Sequence, residues 1–227
     1  MVSIQAGKYE HSSYEQHRSR IISDLIPDNS KGEVALDIGS GPGFFTRILT
    51  EKGWNAHVVD VDEGNLEEAQ KFASRTFHGD AVNILQNLPD NSYDFILSLE
   101  IIEHLDKNNG RKLLYHIHRI LKPGGALLIS TPNRFSPEGW IGGFASILSG
   151  KKKAWNAWDS SHVHIYSSME LIGLLKKSGF RIDHVTGFWF GARISRKIQF
   201  PSILTQSSMF PWNRMGFNVI VRCLKND

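Results

Sequence analysis

The chain is poor in the features that mark several large protein classes. Cys223 is its only cysteine among 227 residues, so no intrachain disulfide can form and a disulfide-stapled secreted scaffold is excluded. The opening residues Met-Val-Ser-Ile-Gln-Ala-Gly-Lys contain no apolar stretch of the kind that marks a secretory leader. Both features predict a reducing, cytoplasmic setting. Apolar runs are short and broken by glycine, proline or charge, and none approaches the roughly 20 residues needed to cross a bilayer, so no membrane span is expected. Nor is there an excess of one charge: 26 Lys and Arg face 23 Asp and Glu, for a net charge of +3. The basic residues are scattered except at Lys151-Lys152-Lys153, which leaves no footprint for nucleic acid, and no nucleic-acid partner is expected.

What is present fits one α/β domain over residues 1–227, with 41% hydrophobic and 22% charged residues. Ile21, Ile22 and Leu25 predict an N-terminal helix over Tyr14–Leu25. Short β-rich runs then alternate with helical stretches. The runs are Val34–Ile38, His57–Val61, Tyr93–Ser98 and Ala126–Ser130, and the helical stretches are Phe44–Lys52, Asn65–Arg75 and Asn109–Leu121. Such alternation predicts a parallel sheet between helical layers. Lys122-Pro-Gly-Gly125 reads as a helix stop and turn. Residues 134–161 break the rhythm and read as an insertion on the acceptor side. Ser167-x-x-Glu170 then predicts a capped helix ending near Gly179, with strands at Phe180–Val185 and Gly216–Leu224.

The strongest chemical signal is Val34-Ala-Leu-Asp37-Ile-Gly39-Ser-Gly41-Pro-Gly43-Phe44, a strand entering a glycine-rich turn that opens a helix. A dinucleotide loop of the form G-x-G-x-x-G would need glycine at 44, where Phe44 stands, which counts against a nicotinamide-dependent oxidoreductase. S-adenosylmethionine (SAM) has no pyrophosphate; it offers an ammonium, which suits Asp37, and a ribose. Asp60 lies 23 residues after Asp37 at a strand end, where a carboxylate can accept from both ribose hydroxyls. Asp62 competes for that role, as does an N-cap reading of Asp60; the spacing to Leu66 and Ala69 favours Asp60. Asp80, followed by Ala81, suits the adenine edge.

These segments, together with Tyr93-Asp-Phe-Ile-Leu-Ser98-Leu-Glu100-Ile-Ile-Glu103-His104 and Leu121-Lys-Pro-Gly-Gly125, resemble class I SAM-dependent methyltransferases over residues 30–132. The resemblance implies a Rossmann-like three-layer sandwich with a seven-stranded, mostly parallel sheet whose last strand is antiparallel. It implies a cofactor set of Asp37, Gly39, Gly41, Asp60, Asp80, Ala81 and Ser98, with S-adenosylhomocysteine as product. The Glu-x-x-Glu-His run is similar to that of ubiquinone-pathway O-methyltransferases and small-RNA 3′-end 2′-O-methyltransferases. In those groups such residues can ligate a divalent cation, which makes Glu100, Glu103 and His104 metal candidates here, although metal is not the expectation.

Methyl transfer from a sulfonium needs positioning above all, and a base for some acceptors. His104 and His164 are the catalytic candidates, with His162-Val-His164 read as an extended segment carrying both imidazoles on one face. Five of six tryptophans, at 140, 155, 158, 189 and 212, follow residue 139. They suit the walls of a pocket for an aromatic, lipid-like or sugar acceptor, and equally a homodimer contact. The expectation is a small-molecule methyltransferase directed at a hydroxyl oxygen. Its rivals are transfer to nitrogen or carbon and, from another class, a SAM-binding partner subunit without turnover. Thr131-Pro132-Asn133 is not the Asn/Asp-Pro-Pro-Tyr/Phe motif of base-flipping enzymes.

Overall fold

The computed structural model describes residues 13–29, 31–136, 159–188, 206–207 and 212–226. Trp140, Trp155, Trp158, Trp189, the Lys151–Lys153 run and most of the expected insertion lie outside them.

The elements run α1 (Ser13–Leu25), β1 (Val34–Ile38), α2 (Phe44–Glu51), β2 (Asn55–Asp60), α3 (Glu63–Ala69), β3 (Arg75–His78), α4 (Ala81–Gln86) and β4 (Tyr93–Leu99). A 3₁₀ turn (Ile102–His104), α5 (Lys107–Ile120), β5 (Leu121–Pro132), α6 (Ser168–Lys177), β6 (Phe180–Phe188), β7 (Gln206–Ser207), a second 3₁₀ turn (Trp212–Arg214) and β8 (Asn218–Lys225) follow. The strands form one sheet in the order β3-β2-β1-β4-β5-β8-β6-β7. β1 pairs in parallel with β2 and β4, β2 with β3, and β4 with β5, while β8 runs antiparallel between β5 and β6. This is the seven-stranded Rossmann-like sheet expected from the sequence; β7 adds two antiparallel residues at its edge.

Alternation along the central strands explains the layers. Leu36, Ile38, Ile96, Leu127 and Ile129 pack with α4, α5 and α6 on one face. Ala35, Phe95, Leu97 and Leu128 pack with Ile21 and Ile22 of α1 and Leu49 of α2 on the other. Both faces are covered, as a parallel sheet requires. Side chains cap the helices: Asp62 accepts from Asn65 N–H, Asp106 from Asn108 and Asn109 N–H, and Ser167 and Glu170 form the expected capping box. Among the described residues no helix is long and apolar enough to cross a membrane.

Three expectations change. The third helix begins at Glu63 and stops at Ala69, so Arg75 opens β3. The apolar spacing through Phe72 continues, but Ser74 N–H donates to Ala56 O at 2.8 Å and draws the chain to the sheet edge. A helix at Ala81–Gln86 was not anticipated; its six residues are too few to establish a period. Finally, Lys122–Gly125 is a bulge within β5. Register with β4 passes from Tyr93↔Leu121 to Phe95↔Ala126, with Gly124 at φ 72°.

Candidate active site

The carboxyl ends of β1, β2 and β4 meet at the glycine turn, where an open α/β sheet binds ligands. Gly43 opens α2 at φ 88°, and a Cβ there would lie 2.8 Å from the Ala69 backbone, so the turn and α3 can approach only through glycine. Gly41, at φ 53°, faces open space: a Cβ there would meet no described atom within 4 Å. Asp60 braces this turn. Its Oδ2 accepts from Gly41 N–H at 2.8 Å and its Oδ1 from Asp62 N–H at 2.9 Å. Asn65 Nδ2 also approaches Oδ1, at the longer distance of 3.4 Å; a carboxylate has about four lone-pair sites, so Asp60 retains capacity for a ligand, more so if that contact is displaced. Asp62 itself is the helix cap.

Asp37 lies beneath the turn at 3% exposure, and Thr46 Oγ1 donates to its Oδ2 at 2.7 Å. Burial, and to a lesser degree the neighbouring Asp60, push its pKa up to about 7 against the Thr46 hydrogen bond. A bound ammonium would reverse that shift. Asp80 is exposed and caps α4 through Asn83 N–H, with Ala81 as the first helical residue. Ser98 is buried, and its hydroxyl has no partner among the described residues.

Beyond β4 the backbone turns sharply, with Glu100 at φ 57°. Its carboxylate accepts from Ser130 Oγ at 2.6 Å and pairs with Arg18 of α1 at 3.7 Å. Glu103 is fully buried. Thr131 Oγ1 donates to its Oε2 at 3.0 Å, while Oε1 has no partner among the described residues. Desolvation first, then the charge of Glu100, raise the Glu103 pKa well above the carboxylate range. His104 keeps solvent access, but the protein packed around its ring and then His162 hold its pKa below the usual imidazole value.

The proton on His104 follows from its partners. Ser161 Oγ donates to Asp159 Oδ1 at 2.6 Å and lies 3.2 Å from His104 Nδ1. Since a hydroxyl has one proton, Ser161 can only accept from the imidazole, which places hydrogen on Nδ1 and leaves a lone pair on Nε2. Glu103, His104 and His162 each offer a donor atom within 4.8 Å of one another, a set that could hold a divalent cation.

The sequence profile of a methyltransferase domain matches residues 10–185. The chain belongs to that family. A ubiquinone biosynthesis O-methyltransferase from Rickettsia canadensis is 30% identical over 73% of this chain and 70% of its own length. A phosphoethanolamine N-methyltransferase from Plasmodium falciparum is 32% identical over 66% of the chain and 57% of its own length. Among solved structures, a SAM-dependent methyltransferase from Archaeoglobus fulgidus superposes with a TM-score of 0.66 at 23% identity, covering 94% of this chain and 95% of that one. The chain spans 65% of another such relative and 55% of a third, about half to two thirds of several curated relatives' lengths. The methyltransferase is of class I, and SAM is its cofactor.

Most site residues expected for this methyltransferase gather at the carboxyl end of the sheet; two do not sit as expected. Glu100 is drawn to Ser130 and Arg18 and stands outside the Glu103–His104–His162 cluster. His164 is absent from that cluster too, packing on Tyr166 with ring centroids 4.5 Å apart. The segment is not extended: Val163 and His164 N–H both donate to Glu103 O, at 2.8 and 3.0 Å, and that bend separates the two imidazoles. His162 takes the place beside His104, ring centroids 4.9 Å apart. Sequence reasoning also missed Asp159, Ser161, the buried Arg18, and Val61, which stands 72% exposed between Asp60 and Asp62. None of these had a local signal in the sequence, where Val61 reads as the last residue of the His57–Val61 strand; β2 ends at Asp60.

Proposed function

We propose that this methyltransferase moves the methyl group of SAM onto a hydroxyl oxygen of a small-molecule acceptor, with His104 as general base. The observation that carries this reading is the Asp159–Ser161–His104 chain, which leaves Nε2 free to take a proton. Bound SAM supplies a methyl already activated on a sulfonium. Asp60 accepts from the ribose hydroxyls while bracing Gly41, Asp37 offsets the ammonium, Val61 gives the adenine an apolar wall, and Asp80 and Ala81 meet its polar edge. Gly39, Gly41 and Ser98 line the approach.

As the acceptor oxygen bonds the methyl carbon and the carbon–sulfur bond breaks, the acceptor proton passes to His104 Nε2. Its lowered pKa keeps the imidazole neutral, and so competent, at physiological pH. Glu103, His104 and His162 are the residues that would hold a divalent cation if one is used. An aromatic or lipid-like hydroxyl acceptor fits the Rickettsia relative's name; transfer to nitrogen has the Plasmodium relative behind it and would leave His104 a smaller part.

The test is transfer of labelled methyl from SAM to a panel of catechols, sugars and amines, with and without EDTA. Turnover of hydroxyl acceptors, lost in His104→Ala, supports the reading. Turnover confined to amines and indifferent to His104 overturns it.

A further inference from the structure

Away from the methyl-transfer site, α5 and α6 flank a surface groove of about 420 Å³ lined by Lys107 and Arg111 of α5, Gly173 and Lys177 of α6, and His164 and Tyr166 from the preceding segment. One acid, Glu170, also lines it, and its Oε2 is already taken by the Arg134 guanidinium and the Ser167 N–H, both at 2.9 Å. Among the described residues Lys107, Arg111 and Lys177 form no ion pair. Three cations therefore stand around a recess whose one acid among the described residues is already paired with Arg134.

Two glycines shape the groove and its floor. Tyr166, 4% exposed, forms part of the floor, with its hydroxyl buried against α5. The hydroxyl reaches α5 because position 110 is glycine; a Cβ there would lie 2.7 Å from it. Gly173 has no such reason. It sits inside α6, where glycine destabilises a helix relative to alanine, and a Cβ there would meet no described atom within 4 Å. No packing among the described residues requires it, and its effect is to leave the groove open.

We infer that the α5–α6 groove is a binding site for a phosphomonoester. Lys107, Arg111 and Lys177 neutralise its dianion, and Tyr166 and Gly173 lie beneath its ester body. Three cations suit a dianion better than a monocarboxylate, and arginine can grip two phosphate oxygens at once. The volume lies in the range of small-molecule sites. Because His164 N–H donates to Glu103 O, an occupant also touches a segment tied to the catalytic cluster. The inference stands whichever acceptor is methylated.

Titration of the full chain with phenyl phosphate and with glycerol 3-phosphate, followed by calorimetry, tests it. Saturable binding at low salt is expected, weakened about tenfold by Arg111→Ala through loss of charge-assisted hydrogen bonds, and abolished by Gly173→Leu. SAM affinity, measured in the same variants, should be unchanged and reports that they are folded; Lys177→Ala, which should also weaken binding, serves if the leucine is not tolerated. Absence of saturable binding, or binding indifferent to both substitutions, overturns the site. So does binding to vesicles containing phosphatidic acid with none to either soluble ester, which would make the groove a lipid-surface contact.

Discussion

In the half of the site we assign to the methyl donor, backbone amides hold the proposed ribose carboxylate: Gly41 and Asp62 N–H both donate to Asp60. In the acceptor half, side-chain hydroxyls do that work. Ser130 holds Glu100, Thr131 holds Glu103, and Ser161 links Asp159 to His104. A backbone-held carboxylate depends on the path of the chain, which every residue of the turn helps to fix. A hydroxyl-held group depends on one side chain, which a single substitution removes. The first arrangement suits a cofactor that does not change; the second lets chemistry at the acceptor be tuned residue by residue.

The sharpest way to separate the halves is His104→Ala. It should slow transfer to a hydroxyl acceptor by about 10² to 10⁴, the usual contribution of a general base, with SAM affinity unchanged by calorimetry. In the native enzyme the acid limb of kcat/KM should fall below the ordinary imidazole range, because the pKa in the ligand-free protein is lowered. An acid limb above that range would remove His104 as the base.

Asp60→Ala should do the converse, weakening SAM about tenfold or more as charge-assisted hydrogen bonds to the ribose are lost. It also strips the acceptor from two backbone amides, so some of the loss comes from a loosened turn. Asp60→Asn keeps one acceptor oxygen and should fall between. Equal SAM affinity in all three folded proteins would reduce Asp60 to a structural brace.

A smaller effect is expected of Ser161→Ala, because it removes the group that orients the base and not the base. A fall in kcat of at most about tenfold, little change in KM, and rescue by Ser161→Thr would match a positioning residue. A change in KM alone would place Ser161 in acceptor binding.

The same contrast explains what could be read from the sequence. The residues we assign to the donor sit on consecutive βα units, each announced by a strand followed by glycine or aspartate, so Asp37, Gly39, Gly41, Asp60 and Asp80 could be proposed from spacing and the family resemblance. Asp60 and Asp62 could be told apart because Leu66 and Ala69 fix the helical phase. The acceptor half joins residues 100–104 to residues 159–164 across more than fifty positions, and no local period encodes that meeting. Alternation puts His162 and His164 on one face of an extended segment, and it fails where two amides converge on Glu103 O. Arg18 read as the polar face of a helix; only the packing of α1 on the sheet buries it beside Glu100.

Asp37 gives the most delicate contrast, because it is a donor-half residue whose carboxylate is held by a side chain, Thr46. Its folded pKa of about 7 lies above the unfolded carboxylate value, so the folded chain binds the proton more tightly. The stability this confers is complete below the unfolded pKa and is lost as pH rises through about 7. The ligand-free protein should therefore lose some thermal stability across that window, and Asp37→Asn should flatten the profile and melt higher at pH 8. SAM works in the opposite sense: its ammonium favours the carboxylate, so binding near pH 7 should release a fraction of one proton and tighten as pH rises. Calorimetry in two buffers of different ionisation enthalpy reads that fraction directly. Proton release in the native protein and none in Asp37→Asn would tie the buried carboxylate to the cofactor's ammonium, whereas equal release in both would leave Asp37 a strand acid serving only the Thr46 contact.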